Sequence, residues 1–208
     1  MSGAQSLGRG LVAVSFGLSA ALYTRLPDAV PIRFDLAGHA NRFVAKPLGP
    51  FVAPLLGLAA YAITAAVVRR QRSAAPLHIV PAAVAGLLLA IHAITLRAAI
   101  DDRTDATRWL LIASSLFVAV LGNYLGKLRR NRWIGIRTPW TLADDEVWLR
   151  THRLGGWMFV AGGALALVAA LAGARSAVIV GVLVVATLIP AASSYLIFRR
   201  VTHHTRRP

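Results

Sequence analysis

SAVIVGVLVVATLIPAASSYLIF, at residues 176–198, runs without a single Lys, Arg, Asp or Glu. An apolar stretch of roughly 18 or more residues is long enough to cross a hydrocarbon core of about 30 Å as a helix. A charge at the centre of a bilayer costs about 2.5–3.5 kcal/mol on insertion scales, which explains why such stretches exclude charge. Five other stretches share this character: 10–24, 48–68, 76–96, 109–126 and 154–174. The sequence therefore predicts an all-α polytopic integral membrane protein with six transmembrane helices.

The composition supports the same fold class. Of the 208 residues, 57% are hydrophobic and only 15% are charged, whereas a soluble domain has about 25% charged residues. The chain contains no cysteine, so disulfides and thiolate chemistry are excluded. The first apolar stretch is the shortest, and a cleaved signal peptide over residues 1–26 is the alternative there. Because the later spans do not need a cleaved leader peptide, we favour a first stretch that is not cleaved and forms span one.

The net charge of +15 could indicate nucleic-acid binding, attraction to anionic lipid, or membrane topology. With the N-terminus inside, 15 of the 23 Lys and Arg residues lie on the inner side and 8 on the outer side. Cytoplasmic loops carry the Lys/Arg excess, so we predict N-in/C-in topology. Topology and the lipid bilayer then account for the charge. The sequence has no zinc-finger spacing or RNA-recognition signature, and we predict no direct nucleic-acid partner.

Two connections are too long to serve only as links. The first outer loop, 26–47, contains three prolines that prevent a continuous helix, while Ile32–Phe34 alternates like a short strand and Ala37–His39 forms a turn. The other is the cytoplasmic loop 127–153. We predict two units. The N-terminal membrane unit, 1–75, contains spans one and two and the outer loop 26–47. The second unit, 76–208, contains spans three to six, the cytoplasmic loop 127–153 and a basic tail at 199–208.

The cytoplasmic loop contains signals for a helix start. Thr138 precedes Pro139 and should be extended. Thr141 with Asp144 three residues later resembles a capping box. The three acidic residues from Asp144 onward would lie in the first turn, where they complement the helix dipole. These signals predict a helix that starts near Leu142 and continues into span five.

The same loop holds three tryptophans: Trp133, Trp140 and Trp148. Anchoring at the membrane–water interface is the simpler explanation, because tryptophan is enriched there. A surface that binds another protein is the alternative, since Arg and Trp are frequent at the energetic centres of interfaces. Arg137 and Thr138 beside a fixed proline would suit such a surface.

Chemistry beyond binding has little support in the sequence. It shows no nucleophile motif, phosphate-binding loop or carboxylate pair, so we predict no catalytic residues, no cofactor and no enzymatic activity. His152 could ligate a metal, but Asp144 and Asp145 do not complete a ligand pattern. We expect a hydrogen-bonded His152 and no metal site. His92 is either a functional intramembrane group or a side chain that reaches toward the interface near Arg97.

Two parts of the chain resemble a known family. The inner segment resembles the signature of the SdpI family of bacterial immunity proteins through Gly122–Lys127, Asn131, GIRTPWTL at 135–142, Val147–Trp148 and Thr151–Arg153. The outer loop is similar to the small N-terminal domain of unknown function that is common in that family, through Leu26–Asp28, Pro31–Ile32, Phe34, Gly38 and Lys46. Arg130 departs from the pattern, because we expect a proline there in the family.

The resemblance implies a multi-pass protein of the bacterial plasma membrane that confers resistance to a secreted killing peptide. It also implies sequestration of a transcriptional repressor at the membrane. We predict that the cytoplasmic partner binds to Asn131, Gly135, Arg137, Thr138, Pro139, Trp140, Trp148, Thr151, His152 and Arg153. We predict that the toxin-facing outer loop uses Pro27, Asp28, Pro31, Phe34, Gly38 and Lys46. A small-molecule transporter or channel is the alternative, although the spans contain few polar groups.

Overall fold

The computed structural model describes residues 3–70 and 75–204 of the chain. In chain order the elements are α1 (Gly3–Leu22), β1 (Ala29–Phe34), β2 (Ala40–Ala45), α2 (Gly49–Arg69), α3 (Val80–Ile100), α4 (Ala106–Leu125), α5 (Pro139–Ala143), α6 (Asp145–Leu171) and α7 (Ser176–His204). Every helix except α5 is long and apolar enough to cross a membrane. The prediction of an all-α polytopic membrane protein with six spans is therefore confirmed, with a two-stranded hairpin added.

The six long helices place the connections at two ends of the bundle. We call the end with the two strands and the short connections at 101–105 and 172–175 the hairpin end. We call the other end, with the long connection at 126–144, the loop end. At the hairpin end Leu26 and Val30 are buried against Leu96. At the loop end the buried residues Val68, Leu77, Leu125, Leu128 and Trp148 form one cluster.

The helices pack in two groups of three. In the first group α3 packs against both α1 and α2, and in the second α6 packs against both α4 and α7. Small residues permit the closest contacts: a Cβ on Gly122 would lie 2.7 Å from Phe159 Cβ, and one on Gly163 would lie 2.6 Å from Ala119 N. The packing thus joins α3 to the first two helices, whereas the sequence places span three in the second predicted unit. The division of the chain at residue 75 stays a prediction.

The hairpin confirms the strand and the turn expected in the first long loop. Its strands pair antiparallel, and an irregularity lies near Arg33. Asp35 shapes the turn, because its carboxylate accepts hydrogen bonds from the backbone N–H groups of Ala37 and His39, each at 2.9 Å. Gly38 adopts a φ of 95°, which glycine reaches without steric cost. The hairpin is fastened to the bundle by the Thr107 hydroxyl, which donates to the Asp35 carbonyl at 2.8 Å.

The predicted helix that continues into span five is α6, but it begins at Asp145, three residues later than Leu142, and the predicted capping box is wrong. Thr138 is extended as expected, and its side chain caps the short helix α5 together with Thr141. Asp144 is also extended, with φ −136° and ψ 131°, and its carboxylate caps the next helix at the N–H groups of Glu146 and Val147. Pro139 fits the first position of α5 because that position needs no N–H. The chain therefore makes two capped helices where one was predicted, and Asp145 and Glu146 occupy the first turn of α6.

Candidate functional site

The long connection at the loop end is folded by its own hydrogen bonds. The Asn131 amide nitrogen donates to the carbonyls of Arg129 and Ile134, and its oxygen accepts from the N–H groups of Trp133 and Ile134. These four bonds are 2.8–3.1 Å long. Asn131 therefore holds the turn from 129 to 134 in shape from within, and only part of its surface is exposed.

His152 joins this connection to α6. Its ring is fully buried, and Nε2 accepts a hydrogen bond from the backbone N–H of Ile136 at 2.9 Å. Because Nε2 accepts, Nδ1 carries the proton and donates to the Trp148 carbonyl at 2.9 Å. The ring also stacks on Trp148, with centroids 3.9 Å apart. The expected hydrogen-bonded His152 is thus observed, and its two nitrogens are both committed to protein groups.

Gly135 is required where the connection passes over this histidine. Its φ is 120°, a region that residues with a Cβ rarely adopt. A Cβ built on Gly135 would overlap His152 Nε2 and would lie 3.2 Å from the Trp148 ring. We call Gly135, Trp148 and His152 together the interlock. The sequence contains all three residues, but nothing in their spacing predicts the contact among them.

The three tryptophans have three different environments. Trp148 is only 1% exposed and donates from Nε1 to the Leu128 carbonyl at 2.8 Å, so interfacial anchoring does not describe it. Trp140 donates to the Ser194 hydroxyl at 2.7 Å and meets Tyr195 edge to face, which fixes α5 against α7. Trp133 is 54% exposed and remains accessible to lipid or to a partner.

The predicted partner-binding residues divide accordingly into buried and accessible ones. Trp148, Thr151 and His152 are buried, and Asn131, Gly135, Thr138 and Trp140 are partly buried. Arg137, Pro139 and Arg153 are exposed. A partner can therefore contact the three exposed residues directly, whereas the buried residues shape the surface that it meets. The accessible surface also includes the exposed basic side chains Lys127, Arg129 and Arg132, which we had not included in the site.

Arg130, which replaces the proline expected from the family pattern, has a defined role in this fold. Its guanidinium forms an ion pair with Asp145 at 2.6 Å and donates to the Leu142 carbonyl at 2.9 Å. It thereby links the turn after α4 to the end of α5 and the start of α6. The side chains are partly exposed, so the ion pair contributes at most a fraction of a kcal/mol, about 0.2–1 kcal/mol for exposed pairs.

The predicted toxin-facing residues also differ in accessibility. Pro27 and Asp28 are exposed, Pro31 is buried, and Phe34, Gly38 and Lys46 are partly buried. Lys46 is structural, because its ammonium donates to the Leu26 carbonyl at 2.7 Å and closes the loop at its base. The hairpin instead offers two large apolar side chains that the sequence had not singled out, namely Leu36 at 59% and Phe43 at 53% exposure. Beside them, the N–H of His39 lowers the pKa of Asp35 below its usual value.

A buried polar cluster joins α1, α2 and α3 beneath the hairpin. Pro54 has no N–H to donate to the Pro50 carbonyl within α2. The Ser19 hydroxyl of α1 donates to that carbonyl at 2.6 Å, and His92 Nε2 lies 2.9 Å from the same hydroxyl oxygen. Because the single Ser19 proton serves Pro50, His92 Nε2 is the donor to Ser19. His92 is thus buried and bonded across helices. The sequence signal for this contact is the four-residue spacing of Pro50 and Pro54, because it leaves the Pro50 carbonyl without a donor in its own helix.

The comparisons with known proteins bear on both long connections. Residues 127–194 match the SdpI/YfhL protein family, and residues 10–58 match a domain of unknown function, DUF1648. The chain is 28% identical over 152 residues to "Immunity protein SdpI" of Bacillus subtilis (strain 168), which covers 72% of this chain and 73% of that protein. No solved structure matches the chain. The family resemblance inferred from the sequence is confirmed, and the chain is a multi-pass protein of the bacterial plasma membrane.

Proposed function

We propose that this SdpI-family membrane protein gives its cell resistance to a secreted killing peptide. The observation that carries the proposal is the position of the interlock: Gly135, Trp148 and His152 all lie within the 127–194 segment that matches the family. The similar protein from Bacillus subtilis is an immunity protein, and the matched segment includes the loop whose shape the interlock fixes.

The proposal includes an orientation. We propose that the hairpin end faces outward and the loop end faces the cytoplasm, with both termini inside, because 15 of the 23 basic residues then lie on the cytoplasmic side. The hairpin, with Leu36 and Phe43 exposed, is then available to a peptide that arrives from outside. Apolar side chains of this size are suited to contact an amphipathic peptide. Pro27 and Asp28 belong to the same accessible surface.

The loop end is the proposed site for a cytoplasmic repressor. Its accessible part carries Arg137, Arg153 and Trp133, beside the further basic residues of the connection. Arginine and tryptophan are the residue types most enriched at the energetic centres of interfaces. Communication between the two ends requires two packing states that the toxin binds with different affinity. The Thr107–Asp35 hydrogen bond connects the hairpin to α4, whose other end leads into the loop.

The experiment that tests resistance uses living cells. The gene is deleted, the cells are exposed to a panel of secreted killing peptides, and survivors are counted before and after the gene is restored. We expect the deletion to sensitise the cells to at least one peptide and the intact gene to reverse this. Equal membrane amounts of each variant are verified by immunoblot. Unchanged sensitivity to every peptide would remove the main support for resistance.

Matched variants make the same experiment specific to the interlock. Gly135→Ala should fail to restore survival, because the added methyl group displaces His152. Gly181→Ala is the control, since a Cβ at that position meets nothing within 4 Å. Purified protein in liposomes separates resistance from the alternative of transport. Saturable solute flux through the wild-type protein would favour a transporter.

A further inference from the structure

A cavity of about 690 Å³ lies at the hairpin end between α3, α4 and the end of α6. Neither long connection contributes to it, and Leu171 is the one lining residue that lies within a family match. Two of its inner side chains are Ile94 and Ile112. Each lies six positions from the nearer end of its helix, which corresponds to about 9 Å at 1.5 Å per residue. The cavity therefore extends from the helix ends into the segments that are apolar enough to span a membrane.

The lining changes from charged to apolar along the helix axes. Arg97, Arg103 and Arg108 line the cavity near the helix ends, whereas Ile94 and Ile112 line its deeper part. Trp109 lies between these two zones and is 53% exposed. Tryptophan prefers the headgroup level of a membrane, where its ring is apolar and its N–H is solvated. This gradient matches a molecule with an anionic head and an apolar chain.

The charges of the lining leave a positive surplus. Arg97 is neutralised by Asp101, with a contact of 2.7 Å. The Asp105 carboxylate caps α4 at the backbone N–H of Arg108, which is neutral, so the three arginines and two aspartates of the lining have a net charge of +1. The Arg108 guanidinium donates to the Ala170 and Leu171 carbonyls, which are neutral, so its positive charge remains available.

Arg103 is the second available charge. Within residues 3–70 and 75–204 its side chain has no hydrogen bond or ion pair, and only its backbone N–H is engaged, with Asp101 at 3.1 Å. Its sequence neighbour Asp102 is exposed and does not line the cavity. Guanidinium groups match phosphate oxygens in geometry as well as in charge.

We propose that this cavity binds an anionic phospholipid of the surrounding leaflet. Its phosphate contacts the guanidinium groups of Arg103 and Arg108, and an acyl chain lies along Trp109 and Ile112. Phospholipid is preferred over a free anion because the deep part of the cavity is apolar and lies within the spans. It is preferred over a zwitterionic lipid because the lining has a net charge of +1 and, among residues 3–70 and 75–204, neither Arg103 nor Arg108 forms an ion pair. The inference does not depend on the proposed resistance function.

The test measures bound lipid on the full chain by native mass spectrometry. Delipidated protein in detergent is titrated with phosphatidylglycerol or with phosphatidylcholine of the same acyl chains. We expect tighter binding of phosphatidylglycerol, and we expect Arg103→Gln to weaken that binding about fivefold, the usual effect of one basic residue near an anionic membrane surface. Arg42→Gln is the matched control, because Arg42 is exposed at the same end but does not line the cavity. It should leave the affinity unchanged.

Trp109→Ala tests the apolar part and should weaken binding of both lipids. The proposal would be overturned by equal affinity for the two lipids or by equal effects of Arg103→Gln and Arg42→Gln. It would also be overturned if inorganic phosphate, or a short peptide with a free C-terminal carboxylate, displaced phosphatidylglycerol at equal concentration. Size-exclusion profiles and thermal melts of each variant verify that the fold is retained.

Discussion

Replacing Gly135 with alanine should destabilise the loop end through two separate effects. The φ of 120° would place an alanine in a strained backbone region, at a cost of about 1–3 kcal/mol. The new methyl group would also overlap His152 Nε2. Because the ring must then move, the partly buried Ile136 N–H loses its acceptor, which costs roughly 1 kcal/mol, the lower end of the range for a buried group. Partial relaxation reduces the total, and we expect a loss of about 3 kcal/mol.

Thermal unfolding in detergent measures this loss. For a chain of this size about 3 kcal/mol corresponds to a decrease in Tm of roughly 6–12 °C. Gly181→Ala is the matched control, since its added Cβ meets nothing within 4 Å. Because alanine favours a helix over glycine by up to about 1 kcal/mol, its Tm should equal that of the wild type or exceed it by up to roughly 4 °C.

A double mutant separates the clash from the backbone strain. In a His152→Ala background the ring is absent, so Gly135→Ala should retain only the strain, about half of its effect. The interlock would be refuted if Gly135→Ala melted like the wild type. It would also be refuted if the effect of Gly135→Ala were the same with and without the His152 ring.

Two further variants test single hydrogen bonds. Ser19→Ala removes the donor to the Pro50 carbonyl and the acceptor of His92, so it should lower stability in detergent by about 1–2 kcal/mol. Ser6→Ala, at an exposed position on the same helix, is the control and should leave the Tm unchanged. Equal Tm values for the two variants would contradict the buried polar cluster. Trp148→Phe removes the Nε1 bond to the Leu128 carbonyl and should lower stability by about 1–3 kcal/mol. Trp157→Phe, at a side chain that is 73% exposed, should melt like the wild type. Equal Tm values for the two variants would contradict a structural role of the Trp148 bond.

The spans were predictable because a bilayer imposes one strong condition on sequence. Stretches without charge had to be helical, and each of the six predicted stretches falls mostly on one long helix. Their ends were less predictable, because a helix can continue beyond the apolar stretch. Helix α6 begins at Asp145, since Asp144 caps it there, and α7 runs past Arg199 and Arg200. The tail residues 205–208 and the connection 71–74 lie outside the described residues.

The site was only partly predictable, because its important contacts join residues that are distant in sequence. Family resemblance identified Gly135 and His152, but the overlap between a Cβ on one and the ring of the other depends on how the connection folds back over α6. The capping error has a local cause. Two candidate caps, Thr138 and Thr141, stand three residues apart, and Pro139 decides between them by starting a helix at once. Ser19 was overlooked because serine is common in membrane helices.

The central claim is that the hairpin and the long connection lie on opposite sides of the membrane, with the hairpin outside. The chain contains no cysteine, so single cysteines at Ala37 and at Trp133 can be labelled in intact cells with a membrane-impermeant maleimide. We predict that A37C reacts in intact cells and that W133C reacts only after the membrane is opened. Labelling of W133C from outside, or protection of A37C until the membrane is opened, would contradict the proposed orientation and with it the assignment of the hairpin to the toxin.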